Sequence, residues 1–211
     1  MRVAVFGSRP DGHAKVVLDL FGELPELEPV GLLDDLPENA GRAIGPLRVL
    51  GGSADLARLA AEEGIEGIVL GFGAARGRLR VLAAAQEAGL ALPTLVHPSA
   101  HVAASAELAA GVQVLPQASV GAGARLGRGV LVNTGAVVEH DDVVGDGSVI
   151  DPGAVLAGRV EVGTEVEVGS GAVLIPDVKV GDGAVVGAGA AVVAPVAAGE
   201  TVVGVPARPL H

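Results

Sequence analysis

A six-residue period in the second half of the chain restricts its possible folds more than any other feature. From Val102 through Leu108, Val114, Val120, Leu126 and Val132 to Val192, every sixth residue is aliphatic, sixteen positions without a slip. Glycine fills nine of the sixteen positions three residues later, among them Gly123, Gly129, Gly135, Gly147 and Gly153. The fourth residue is usually small or short, as at Ala106, Ala118, Ala124 and Ala136. A period of six suits neither an amphipathic helix nor an alternating strand. It suits a solenoid in which each hexad is one short strand and one tight turn. The aliphatic residue points into the coil, the small one lets the turn close, and glycine accepts the positive φ the turn imposes. Up to Ala197 the hexads make about five and a third coils, a prism roughly 25 Å long at the usual spacing between strands. Its two ends are strand edges that need covering. The N-terminal half is expected to cover one and the tail AGETVVGVPARPL the other.

The first half reads differently. RVAVFG (2–7) is a short buried strand, followed by the loop Gly7-Ser8-Arg9-Pro10-Asp11-Gly12 and the helix HAKVVLDLFGEL, with Val16, Val17, Leu20 and Phe21 on one face. EPVGLLDD is a second strand ending in Asp34 and Asp35. Ser53 is placed to cap the helix SADLARLAAEE, with Gly64 as its stop. IEGIVLGFG is a further strand, RGRLRVLAAAQEAGL a helix and LPTLVHP a last strand. Alternating strands and helices predict a doubly wound parallel sheet over residues 1–96. Ligands of such sheets bind beyond the carboxyl ends of the strands. Here those ends are the Gly7–Gly12 loop, Asp34/Asp35 and Gly71–Gly73. The loop before a helix suits a phosphate, and the acidic pair suits a ribose or a base edge.

Composition removes several classes of function. The formal charge of −11 argues against nucleic acid or an anionic membrane as the main partner. There is no cysteine, hence no disulfide, thiolate nucleophile or cysteine metal site. Three phenylalanines and no Trp or Tyr weaken a lectin-like reading. MRVAVFG lacks the basic start and long apolar run of a signal peptide, and Gly, Asp and Glu interrupt the second half too often for a membrane span. A cytoplasmic protein is the expectation.

One turn of the solenoid is chemically distinct. His140, in Val138-Glu139-His140-Asp141-Asp142, is the only histidine between His101 and His211. Its ring should project outward, with Asp141 as a hydrogen-bond acceptor behind it, which makes a general base suited to neutral pH. Gly158 lies one coil further on and stacks on the His140 position. A glycine there admits a closely approaching ligand, and its N–H could face a developing oxyanion. Asp142 stands where other hexads carry Ala, Val or Ser. A carboxylate turned inward is costly unless hydrogen-bonded, so either the turn is distorted or Asp142 bonds backbone groups. His13 opens the first helix, while His97 and His101 read as structural residues at the domain junction.

The hexads, together with GSRPDGHAKVVLDL, TLVHPSAHV, NTGAVVEHDDVVGDG, PGAVLAGRVEVG and VVGVPAR, resemble the bacterial sugar acyltransferases of PglD/NeuD type. These join a small Rossmann-like domain to a left-handed parallel β-helix of hexapeptide repeats. The resemblance spans essentially the whole chain. It implies a Rossmann-like nucleotide-sugar-binding domain over 1–96, and a β-helix acetyltransferase domain with a capping tail over 97–211. The implied activity is acetyl-CoA-dependent N-acetylation of a UDP- or GDP-linked amino-sugar. O-acetylation of a sialic acid or other sugar hydroxyl is an alternative, and a non-catalytic nucleotide-sugar-binding scaffold a further one. By the same resemblance His140 is the catalytic base and Asp141 its acidic partner. Gly7, Ser8, Gly12, His13, Asp34, Asp35 and Gly71 contact the nucleotide sugar, and Asn133 is a polar residue on the His140 face. Val149, Gly158, Ser170 and Ala188 lie near acetyl-CoA. Two departures stand out: Arg9-Pro10-Asp11 lengthens the first loop, and Val149 replaces a histidine some members direct at the coenzyme. A homotrimer with active sites in the clefts between subunits is expected. With one histidine in the coil, the three-histidine metal site of hexapeptide-repeat carbonic anhydrases is not expected.

Overall fold

The structure is a computed structural model that describes residues 1–210. The chain divides into two compact units, one of residues 1–73 and 80–93, the other of residues 74–79 and 94 onward.

In the first unit, β1 (Arg2–Phe6), α1 (Ala14–Leu20), β2 (Glu28–Leu33), β3 (Ala43–Ile44), β4 (Leu47–Gly51), α2 (Leu56–Glu63) and β5 (Gly67–Leu70) follow in sequence, then α3 (Arg78–Glu87), whose first two residues group with the other unit. The sheet order is β3-β4-β2-β1-β5. Strands β4, β2, β1 and β5 are parallel, and β3 pairs antiparallel with β4. Val3, Ala4 and Val5 of the central strand are fully buried, as expected of a strand covered on both sides. Because β1 has β2 on one side and β5 on the other, the chain order reverses at the carboxyl ends of β1 and β5. That is the crevice where open α/β sheets bind ligands. Gly64 ends α2 with φ of 65°. Ser53 does not cap that helix. It lies in a short 3₁₀ turn, and its N–H donates to Asp35 Oδ1 instead. Val17 and Leu20 of α1 and Phe21 just after it are buried, but Val16 faces solvent.

In the second unit the hexads coil as read, forming a left-handed parallel β-helix. Two-residue strands stack eighteen residues apart, for instance Ser119–Val120 on Val137–Val138, and Val137–Val138 in turn on Val155–Leu156. Three sheets result. The first face runs from Leu95–Val96 to Thr201–Val203, the second from His101–Val102 to Ala191–Val192, and the third from Glu107–Leu108 to Lys179–Val180. Val120, Val138, Leu156 and Leu174 form one ladder of the fully buried interior.

Both ends of the coil differ from expectation. LPTLVHP does not close the α/β sheet. Leu95–Val96 pairs in parallel with Gln113–Val114 and so is the first rung of the coil. The division therefore falls after Pro93, and it is Ala91 that bridges β5. Val96 is in the hexad frame, so its place was encoded. At the other end the frame shortens by two residues. Val196 bridges Val180, and Val202 pairs with Val186. The tail then returns antiparallel through Arg208–Pro209 and covers that edge.

The outward residues give the faces different characters. On the second face they are His101, Ser119, Val137, Val155, Val173 and Ala191, aliphatic from Val137 onward. On the third they are Glu107, Arg125, Val143, Glu161 and Lys179, with Lys179 and Glu161 paired at 2.9 Å. The first face carries Gln113, Leu131 and Val149, all buried. Residues 74–79 dock on this unit. Arg78 is fully buried, its Nε donating to the Gly129 carbonyl at 2.8 Å and its guanidinium to Gln113 Oε1 at 2.9 Å. Gly77 N–H donates to Glu165 Oε1.

Candidate functional site

The strand Val137–Val138 on the second face delivers the chain into the turn Glu139–Asp142, and Val143–Val144 on the third face takes it away. His140 is the second residue of this turn, with its side chain 49% exposed. Asp141 follows with φ of 60°. Positive φ at this turn position usually falls to glycine, but Asp is among the few residues that tolerate it. Asp141 Oδ2 lies 2.9 Å from His140 Nδ1. A carboxylate only accepts, so in the neutral ring this contact is the hydrogen bond of an Nδ1–H, which leaves the lone pair on Nε2.

Directly beneath the ring is Gly158, one coil on. A Cβ there would sit 2.7 Å from Cε1 of His140 and collide with Nε2. The room that glycine provides is thus taken by the imidazole itself, rather than left for a ligand as the sequence suggested. The Gly158 N–H donates to no group among the described residues. The His140 carbonyl accepts from Arg159 N–H at 3.0 Å, which fixes the backbone beneath the ring.

The same corner keeps side chains where glycine is the easier choice. Asp141, Arg159 and Asp177 occupy equivalent positions in three successive coils, all with φ between 60° and 65°. Arg159 grips Asp177 through Nε at 2.7 Å and a terminal nitrogen at 2.9 Å. Hydrogen bonding and charge from Asp177 hold the Arg159 guanidinium above its ordinary range, with Asp141 adding to it, and Arg159 holds Asp177 below its own.

Asp142 is inward and fully buried. Of the two alternatives left by the sequence, it bonds backbone groups: Oδ2 accepts the Glu139 N–H at 2.8 Å and Oδ1 the Val160 N–H at 2.7 Å. Burial pushes its pKa up to about 7, against the pull of those two donors.

The other residues expected near the coenzyme and sugar do not all gather at this corner. Asn133 follows the first-face strand Leu131–Val132, so it lies at the corner between the first and second faces and not beside His140 of the same chain. Its Oδ1 accepts the Thr134 N–H at 2.9 Å. One coil on is Asp151, whose pKa burial and the nearby Glu167 push up to about 6, while an Asn133 hydrogen bond opposes them. Ser170 and Ala188 share that second corner and are exposed. Val149 is fully buried within the chain, so its side chain has no surface to offer a coenzyme.

In the α/β unit, Gly7 and Gly71 meet at the switch point. A Cβ on Gly7 would lie 2.8 Å from the Gly71 carbonyl oxygen, and one on Gly71 would lie 2.5 Å from Val5 Cγ1. The approach of the Gly71 backbone therefore requires a glycine at 7, and the Val5 side chain of β1 requires one at 71. Gly12 and His13, both half-buried, lead into α1. Ser8 is fully buried, and its hydroxyl donates to Asp34 Oδ2 at 2.5 Å rather than facing a ligand. Asn39 Nδ2 donates to the same oxygen at 2.9 Å and Leu36 N–H to Oδ1 at 3.0 Å. Burial raises the Asp34 pKa, but these donors outweigh it and the net shift is downward. Asp35 pairs with Arg80 at 2.9 Å. Both acids border a cleft of about 340 Å³ whose wall includes Gly51, Gly52 and Asp55. Asn39, Arg159 and Asp151 were missed by sequence reasoning. Arg159 alone left a signal there, as a non-glycine at a glycine-rich turn position.

No group of His, Cys, Asp or Glu suited to a metal occurs among the described residues, and none of their helices is long and apolar enough to cross a membrane. The PglD N-terminal domain family matches residues 2–85, and the bacterial transferase hexapeptide family matches residues 143–175. None of the curated proteins matches the chain. Solved structures do. The acetyltransferase domain of PglB from Neisseria gonorrhoeae FA1090 is 35% identical over 99% of this chain and 99% of that one, with a TM-score of 0.89. The same domain in complex with acetyl coenzyme A gives 36% identity, 99% and 98% coverage and a TM-score of 0.88. PerB from Caulobacter crescentus, in complex with CoA and GDP-perosamine, is 32% identical over 100% of this chain and 98% of that one, with a TM-score of 0.90.

Proposed function

Because the chain belongs to the PglD/NeuD type of hexapeptide-repeat sugar acetyltransferases, we propose that it acetylates the amino group of a nucleotide-linked amino-sugar, with His140 as general base. It is an acetyl-CoA-dependent acyltransferase. The observation that carries the finer reading is the 2.9 Å contact between His140 Nδ1 and Asp141, on a ring seated against Gly158.

In this reading the sugar amine attacks the thioester carbonyl while Nε2 takes its proton. Asp141 holds the ring and favours the imidazolium as it forms. A backbone N–H, that of Gly158 being a candidate, stabilises the oxyanion. The tetrahedral intermediate collapses, the C–S bond breaks and the CoA thiolate leaves, taking up the proton. No acyl-enzyme is required.

The Gly7–Gly12 loop, His13, Asp35 and Gly71 are proposed to face the nucleotide, with Ser8 and Asp34 bracing that site from behind. Asn133, Ser170 and Ala188 lie at a different corner of the coil from His140. A second copy that brings that corner to His140 would complete the site. The aliphatic second face suits such an assembly, and a homotrimer is the proposed form. Use of acetyl-CoA suits a cytoplasmic enzyme.

Thiol release from acetyl-CoA, measured with UDP- and GDP-linked amino-sugars and with free sialic acid, tests the activity. Release with an amino-sugar nucleotide is expected. Release with sialic acid alone would replace N-acetylation by O-acetylation, and none with any acceptor would favour a binding scaffold. Full activity in His140→Ala would remove the histidine from its role.

A further inference from the structure

We propose that Asp142 is a positioning residue for His140, its buried carboxylate tying together the two turns that press the imidazole against Gly158. The proposal rests on the reading of His140 as the base.

One oxygen of Asp142 accepts the N–H of Glu139, the residue just before His140, at 2.8 Å, a donor it shares with the Leu156 carbonyl of the next coil at 3.1 Å. The other accepts the N–H of Val160, two residues after Gly158. A single carboxylate thereby holds the base on one side and its seat on the other. In most other turns this N–H closes the turn on itself. The equivalent N–H groups of Ala106 and Ala136 donate to the carbonyls three residues earlier, Ala103 and Asn133, both at 2.9 Å. In the turn after Leu156 that N–H belongs to Val160 and is given to Asp142.

Stability alone does not call for a carboxylate here. Burying one is costly, and alanine fills the position in the two coils before, at Ala106 and Ala124. Nor does joining adjacent coils call for a charge. At another corner, Ser148 Oγ accepts the N–H of Val166, eighteen residues on, at 3.0 Å, and donates to the Gly163 carbonyl at 2.7 Å. What Asp142 has beyond Ser148 is the second oxygen, and that oxygen holds Glu139.

Ser148 supplies the test. In Asp142→Ser the hydroxyl keeps the tie to Val160, as Ser148 does to Val166, and gives up the tie to Glu139, whose N–H is left with the Leu156 carbonyl alone. The fold is therefore expected to survive, with a melting temperature near that of the parent. The value of kcat should fall about 10-fold or more, since small displacements of a catalytic group are expensive. KM for acetyl-CoA and for the acceptor should hold within about twofold, because no substrate contact is removed. Asp142→Asn, which turns one acceptor into a donor, should show the same split. In a His140→Ala background, Asp142→Ser should cost nothing further, as residues acting through one another are not additive. An equal loss of kcat with and without His140 overturns the proposal. So does parental kcat in Asp142→Ser when His140→Ala is inactive, and that outcome leaves the base reading intact. Parental activity in His140→Ala overturns the base reading itself.

Discussion

The His140 imidazole lies flat enough on Gly158 that no side chain fits beneath it, and a Cβ would approach Cε1 to 2.7 Å. The φ of Gly158 is not in the left-handed region. Its absence of a side chain is therefore a requirement of the ring, not of the backbone. Gly158→Ala should displace the ring while the half-exposed imidazole swings into solvent. Activity is expected to fall about 10- to 100-fold with little change in melting temperature. Steady-state kinetics beside a thermal melt checks this, and parental kcat would show that the seat is not needed.

Asp141 should show activity and stability parting company. Its φ of 60° suits glycine, so Asp141→Gly should keep stability within about 1 kcal/mol of the parent. The same change removes the acceptor from His140 Nδ1 and should lower kcat about 100-fold. Denaturant midpoints and turnover measured on one preparation test both halves.

Asp142 and Asp151 give the fold a pH dependence of definite sign. Burial pushes Asp142 up to about 7 from an ordinary 3.8, and burial with the nearby Glu167 pushes Asp151 up to about 6. Between about pH 4 and these values the folded chain holds protons the unfolded chain has released. Stability from this source is full below the unfolded pKa and is lost as pH rises through the folded one. Unfolding midpoints should therefore decline from pH 5 to pH 8, and Asp142→Ser should flatten that decline. An equally steep decline in the variant would place its origin elsewhere.

The second face predicts an assembly. Val173 is 44% exposed on it, in line with Val137 and Val155. Val173→Lys should convert the proposed trimer into smaller species with the coil intact, and activity should fall with it. Mass in solution and circular dichroism check the two parts. A parental mass would move the interface to another face.

The hexads were legible because each one repeats a local rule: one aliphatic residue inward, one turn position with positive φ. His140 stood out by breaking the rule in chemistry, and Asp142 by breaking it in polarity. The rule also held more than was read from it. Val96 is in frame, yet an apolar pair before His-Pro looks the same in a sheet as in a coil. Asn133 and His140 are seven residues apart, so in a six-residue frame they fall at successive corners. Other features carried no such signal. Nothing local marks Asn39 as a donor to Asp34, or Arg78 as the residue that buries its guanidinium between Gln113 and the Gly129 carbonyl.

By itself the sequence determined the coil, the α/β unit before it and the one turn that carries His140 and Asp141. These follow from period and conformational preference, which act over a few residues. The tertiary structure alone decided that the imidazole occupies the space above Gly158, that Asp142 faces two backbone donors and that Ser8 serves Asp34. Each depends on which polar group stands opposite another once the layers have stacked, and a buried polar group is tolerated only where that partner is present.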